Sequence, residues 1–211
     1  MNIRVFPAGY IDTNAYLLTD VEKGEAALID APHDLWPLIE SVLKEEHCRV
    51  ISLFLTHGHW DHTGDAALMQ SKGAKVYAHP HDRILIETPE TMGPFLPPGI
   101  EVKATKIDEE ILDDRVLDVL GQKVEIRHVP GHCPGNILLY FEKEEAAFVG
   151  DALFRGSIGR TDLPGGNFSE LERSIREKIY TLPQNTVVYP GHGPETSVGQ
   201  EMESNSFVRA E

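Results

Sequence analysis

Thr56-His57-Gly58-His59-Trp60-Asp61-His62-Thr63-Gly64-Asp65 places four metal-ligating side chains within six residues. It follows directly on residues 50–55 (VISLFL), an unbroken apolar run short enough to be a strand buried on both faces. His57 and His59, two apart and just past that strand, project to one side if the backbone stays extended. Asp61 and His62 are adjacent and must diverge, so they suit a second centre better than the first. Imidazole with a little carboxylate is the ligand set of zinc, and iron and manganese also accept it. Gly58 and Gly64 allow the tight path that such a loop needs.

Working outward, three more ligand-type side chains each end a β-like run beside glycine. His132 sits in Pro130-Gly131-His132-Cys133-Pro134-Gly135, Asp151 follows Gly150, and His192 sits in Pro190-Gly191-His192-Gly193. Alone, each histidine would be an ordinary turn or surface residue and Asp151 a cap. With the HxHxDH segment as anchor, the three become candidates to converge on one edge of a sheet sandwich. His33, His47, His79, His81 and His128 have no such context and read as structural or surface residues. Cys133 has no freestanding base partner and reads as packing rather than as a nucleophile.

The rest of the chain supplies the scaffold. Residues 2–6, 14–19 and 25–30 have β character, with Asp30-Ala31-Pro32 as a stop signal. Residues 34–47 carry helical apolar spacing at Leu35, Leu38, Ile39, Val42 and Leu43. A second helix is expected over about 63–72 with Gly73 as its C-cap, then a strand at AKVYA. Residues 88–99 (TPETMGPFLPPG) read as a loop near the substrate. Short strands are expected at 101–107, 115–120, 123–129, 137–141 and 146–149. A helix over about 169–181 has Asn167 and Ser169 as candidate caps, and NTVVYP is a final strand. Many short strands with a few helices on both sides of the midpoint predict an α/β fold of two sheets between helices. No linker marks a boundary, so residues 1–211 are expected to form a single domain.

Composition narrows the function. Apolar residues make up 41% and charged residues 25%, ordinary globular values. Two cysteines, Cys48 and Cys133, cannot make a disulfide framework, so a reducing compartment is the default. MNIRVFPAGY has no apolar h-region and no run approaches a bilayer span, which points to a cytoplasmic protein. The formal charge of −15, with no basic run, argues against nucleic acid. Bound divalent cations would still give the cleft a local positive charge able to draw a small anionic substrate.

THGHWDHTGD, PGHCPGN, FVGDALF and YPGHG together resemble the metallo-β-lactamase superfamily, and the likeness spans nearly the whole chain. Within it, residues 150–166 (GDALFRGSIGRTDLPGG) resemble the glyoxalase II, or hydroxyacylglutathione hydrolase, branch. The resemblance implies a four-layer αββα sandwich with two mixed sheets flanked by helices, and a dinuclear centre, most simply of two Zn²⁺. His57, His59 and His132 would hold one metal, Asp61, His62 and His192 the other, and Asp151 would bridge them. Asp61 and Asp151 are accordingly the candidate catalytic residues. Two features depart from the pattern. The chain runs only about 20 residues past His192, so the helical C-terminal domain that grips glutathione is expected to be absent. Asn136 stands where Ser or His is commoner.

The chemistry implied is hydrolysis of a small-molecule thioester or ester by a metal-bound hydroxide, because metal binding lowers the pKa of water from 15.7 to about 7. Recognition would fall on the metals and on Met92, Phe95 and Leu96 of the 88–99 loop. Arg160 and Asp162 would brace the loop after Asp151, with a substrate-binding role for Arg160 as the weaker assignment. The rival reading is a mononuclear iron persulfide dioxygenase, which resembles the segment Gly159-Arg160-Thr161-Asp162. Esters and lactones are further candidate substrates on the same fold.

Overall fold

A computed structural model describes residues 1–113 and 115–210. The chain divides into two compact units, Met1–Glu110 and Ile111–Glu211.

The first unit is built on a six-stranded mixed sheet in simple chain order. Strands β1 (Asn2–Ala8), β2 (Thr13–Asp20) and β3 (Glu25–Ile29) form an antiparallel meander. Helix α1 (Trp36–Glu45) crosses over to β4 (Arg49–Phe54), which lies parallel to β3. The expected helix over 63–72 is two short ones, α2 (Trp60–Thr63) and α3 (Ala66–Ser71), followed by parallel strand β5 (Lys75–Ala78). Gly73 takes a φ of +98°, the left-handed conformation expected of its C-cap role. Helix α4 (Arg83–Glu87) and the two-residue strand β6 (Glu109–Glu110) complete the unit. Leu17, Leu28, Leu53 and Val76 from the sheet and Leu35, Ile39 and Met69 from the helical side form one apolar core. Each of these side chains removes roughly 1.5–3 kcal/mol worth of apolar surface from water.

Two expectations fail here. Residues 101–107 pair with no strand; the Thr105 and Ile107 N–H groups donate instead to Ile86 O and to the Glu87 carboxylate. Alternating polarity marks extended chain, and this stretch is extended without joining the ladder. Residues 88–99 are not wholly loop, because Pro89–Phe95 forms a 3₁₀ segment with Pro89 in its first turn. Met92 is buried there, while Phe95 is exposed.

The second unit carries another six-stranded mixed sheet. Strands β7 (Arg115–Val119), β8 (Gln122–His128), β9 (Ile137–Phe141) and β10 (Ala146–Gly150) run antiparallel. A small hairpin, β11 (Leu153–Phe154) with β12 (Ser157–Ile158), follows. Helix α5 (Phe168–Ser174) starts where Asn167 accepts from the Glu170 N–H, the expected cap, and continues as π-helix over Ile175–Ile179. The crossover ends in β13 (Val187–Pro190), parallel to β10, and the unit closes with β14 (Thr196–Ser197) and α6 (Val198–Ser204). Leu138, Val149 and Val188 pack against Leu171, Ile175, Ile179 and Val198 as its core. No helix among the described residues is long and apolar enough to cross a membrane.

Candidate metal centre

In the first unit, the polar residues collect at the carboxyl ends of the three parallel strands, where open α/β sheets place their ligand sites. Asp30 follows β3, Thr56 and His57 follow β4, and Asp82 lies beyond β5. Asp30 is 1% exposed, which makes its carboxylate costly unless donors meet it. Three do: Thr56 N–H at 2.7 Å, Thr56 hydroxyl at 2.7 Å and His62 Nδ1 at 2.8 Å. Since the Thr56 hydroxyl proton is given to Asp30, the contact of 3.1 Å between Thr56 Oγ1 and His57 Nδ1 has His57 as donor. Asp30 thus sets the tautomer of His62 directly and of His57 through Thr56. In both rings Nε2 keeps the lone pair. That is the arrangement by which proteins aim an imidazole at a metal.

His59 is the N-cap residue of α2, with extended backbone, so Asp61 and His62 lie in a helical turn and diverge as expected. Asp61 accepts from the Thr13 hydroxyl at 2.9 Å, and its Oδ2 lies 3.2 Å from His62 Nε2. Asp82 accepts from the Gly58 N–H at 2.8 Å and fixes the chain between His57 and His59. Asp65, at the end of the signature, accepts from the Leu35 and Trp36 N–H groups at the start of α1. Gly64 serves a close approach rather than a turn: a Cβ there would lie 2.2 Å from the His33 ring.

The second unit repeats the logic. Parallel strands β10 and β13 deliver Asp151 and His192 side by side, tied by Gly191 N–H to Gly150 O at 2.8 Å. His132, in the β8–β9 loop, donates from Nδ1 to Arg160 O at 2.8 Å, so its Nε2 also carries the lone pair. Asp151 Oδ2 lies 3.7 Å from His132 Nε2 and 3.5 Å from His192 Nε2. Ligands sharing one tetrahedral zinc at bonds of about 2.0–2.1 Å stand about 3.3 Å apart, so these spacings fit coordination. Asn136 is buried and donates to Val149 O at 3.1 Å, bracing the strand that leads into Asp151. The Arg160 guanidinium is exposed and forks onto Asp162 at 2.7 and 2.8 Å, which draws the Asp162 carboxyl down to about 2. It is the backbone carbonyl of Arg160, not its side chain, that meets His132.

All seven sequence candidates, His57, His59, Asp61, His62, His132, Asp151 and His192, fall in His/Asp groups able to hold a metal ion. The metallo-β-lactamase superfamily model matches residues 8–192. The chain belongs to this superfamily. It is 37% identical over its full length to the hydroxyacylglutathione hydrolase GloC of Haemophilus influenzae, 99% of which it covers. Among solved structures, the BLEG-1 B3 metallo-β-lactamase matches with TM-score 0.89 at 37% identity, over 98% of this chain and 99% of that one. TTHA1623, solved in a di-iron-bound form, matches with TM-score 0.84 at 32% identity, over 97% of this chain and 100% of that one. The fold is therefore the metallo-β-lactamase fold, two mixed sheets flanked by helices, as the resemblance implied.

Sequence reasoning missed Asp30, Thr13, Thr56 and Asp82 as partners of the candidate ligands. Only Asp30 left a trace, as the polar end of an apolar strand, and there it reads equally as a turn.

Proposed function

We propose that the seven residues form one dinuclear centre, within one catalytic domain, that hydrolyses thioesters of the hydroxyacyl-glutathione class. The observation that supports this reading is that Asp151 Oδ2 lies near both His132 and His192 Nε2, so that its carboxylate could serve ions held at either ring. The assignment of His57, His59 and His132 to one ion, and of Asp61, His62 and His192 to the other, agrees with it. Bound divalent ions would bring the pKa of a water toward about 7 and polarise the substrate carbonyl. Zinc suits the donor set, and the di-iron relative keeps iron as the metal to test against it.

The chain's own groups do the rest. Asp61, steadied by Thr13, accepts the proton of the attacking water. Oxygen joins the acyl carbon, the C–S bond breaks, and the sulfur departs as a thiolate that needs no acid to leave. The likeness to GloC supports thioesters. GloC has almost no length beyond what this chain covers, so a further helical domain is not a requirement for the substrate that its name records. A second reading, β-lactam hydrolysis, rests on the likeness to BLEG-1; its leaving nitrogen would need a proton. A turnover panel of hydroxyacyl-glutathione thioesters, β-lactams, lactones and persulfides, run on zinc- and iron-loaded protein, tests both. Thioester turnover at least tenfold above the others supports the proposal. Activity confined to β-lactams or persulfides overturns it.

A further inference from the structure

We infer that Glu201, which is no metal ligand, is a positioning residue that holds Asp151, His132 and His192 in place; the inference rests on the ligand assignment above. Glu201 lies on α6 and is fully buried. Glutamate is almost never so buried without a partner, and no Lys, Arg or His among the described residues forms an ion pair with it. Three hydrogen-bond donors offset its burial instead. Gly156 N–H at 2.8 Å and Asn205 Nδ2 at 2.7 Å reach Oε2, and the Thr196 hydroxyl at 2.6 Å reaches Oε1.

Two of those donors, Gly156 and Thr196, come from the two segments that leave the candidate ligands. Gly156 is the turn of the β11–β12 hairpin, which begins just after Asp151. Thr196 is in β14, just after the His192 turn. The same two segments are tied again by Arg155, whose guanidinium donates to Glu195 O. Asn205 adds a third strut, donating to Ser157 O at 3.0 Å. The hairpin then returns across the ligands themselves. Gly159 lies so close that a Cβ would stand 1.9 Å from Asp151 O and 2.8 Å from His132 Nδ1, and the next carbonyl orients the His132 ring. One carboxyl thus fixes the hairpin that buttresses Asp151 and His132, and fixes the turn that carries His192. An apolar side chain would fill the space but leave the buried Thr196 hydroxyl, and the half-buried Gly156 N–H, without acceptors.

Glu201→Gln tests this, since it sets an NH₂ group against donors in place of an acceptor. Stepwise zinc titration of the apo-protein, with the visible spectrum of the cobalt-loaded form, is read for wild type, Glu201→Gln, Ile179→Val and His192→Ala. Ile179→Val loosens the same core without touching either segment. Glu201→Gln should weaken metal binding about 10–100-fold, the range for lost outer partners, and alter the cobalt spectrum, while Ile179→Val keeps both. Thr196→Val, which removes one bond and retains burial, should show a smaller loss in the same direction and serves if Glu201→Gln fails to fold. If metal affinity in Glu201→Gln or Thr196→Val falls no further than in Ile179→Val, the inference is overturned. If His192→Ala itself binds metal as wild type does, it is the ligand assignment that fails.

Discussion

At the scale of single residues, the proposed centre is buttressed by groups that are not themselves candidate ligands. Asp30 accepts from Thr56 and His62 and so fixes the rings of two candidate ligands. Its backbone φ of +59° lies in the left-handed region that Asn also tolerates, so Asp30→Asn alters the acceptor without straining the chain. Metal affinity in Asp30→Asn should fall about 10–100-fold, measured by competition with a chromophoric chelator; wild-type affinity would remove Asp30 from the site. For the ligands themselves, His57→Ala and His132→Ala should lose metal and turnover together while circular dichroism and melting stay those of a folded chain. The core of each unit is apolar and closed without metal, so the centre is an addition to the fold. Near-normal turnover in either variant contradicts the assignment. The candidate ligands His57, His59, Asp61 and His62 were legible from residue type and spacing, and His132, Asp151 and His192 only once that segment anchored them. Asp30, Thr13 and Asp82 were not, because their roles arise from chain neighbours tens of residues away.

At the scale of elements, the parallel pair β10 and β13 explains why Asp151 and His192 arrive together. Asp151 is the proposed bridge, so Asp151→Ala should lower occupancy by both ions, whereas His192→Ala should empty mainly one. Calorimetric titration distinguishes them, and identical losses would count against the bridge. The strands flanking the ligands could be read from sequence because buried runs ending in Gly-His or Gly-Asp are sharp signals. The stretch 101–107 was misread because an extended chain alternates polarity whether or not it pairs. The segment 88–99 was misread because Pro and Gly suit a 3₁₀ turn as well as a loop, and Met92 is buried within that turn. Helix α6, with Glu201, left no signal; a carboxylate buried by donors looks like a surface residue in a sequence.

At the scale of the whole molecule, the formal charge of −15 and the held carboxylates govern behaviour in acid. Arg4 holds Glu46 below its ordinary value. Burial pushes Asp108 upward, but the Val76 N–H and the Gln70 amide outweigh it and leave it lowered. Asp162, drawn to about 2, is fully exposed and adds little to stability. Groups lowered on folding contribute their full stability above the unfolded carboxylate pKa, about 4, and lose it as pH falls from there through the lower folded-state value. The urea midpoint of the apo-protein should therefore drop between about pH 5 and pH 3. A midpoint that holds steady over that interval would show that these contacts do not matter.

Zinc titration of the apo-protein during thioester turnover tests the proposed two-ion hydrolase most directly. Turnover should climb through the second equivalent and level at two ions per chain, releasing one thiol per thioester with no dioxygen consumed. Saturation at one iron per chain, with dioxygen uptake on a persulfide and silence from the zinc form, would contradict it.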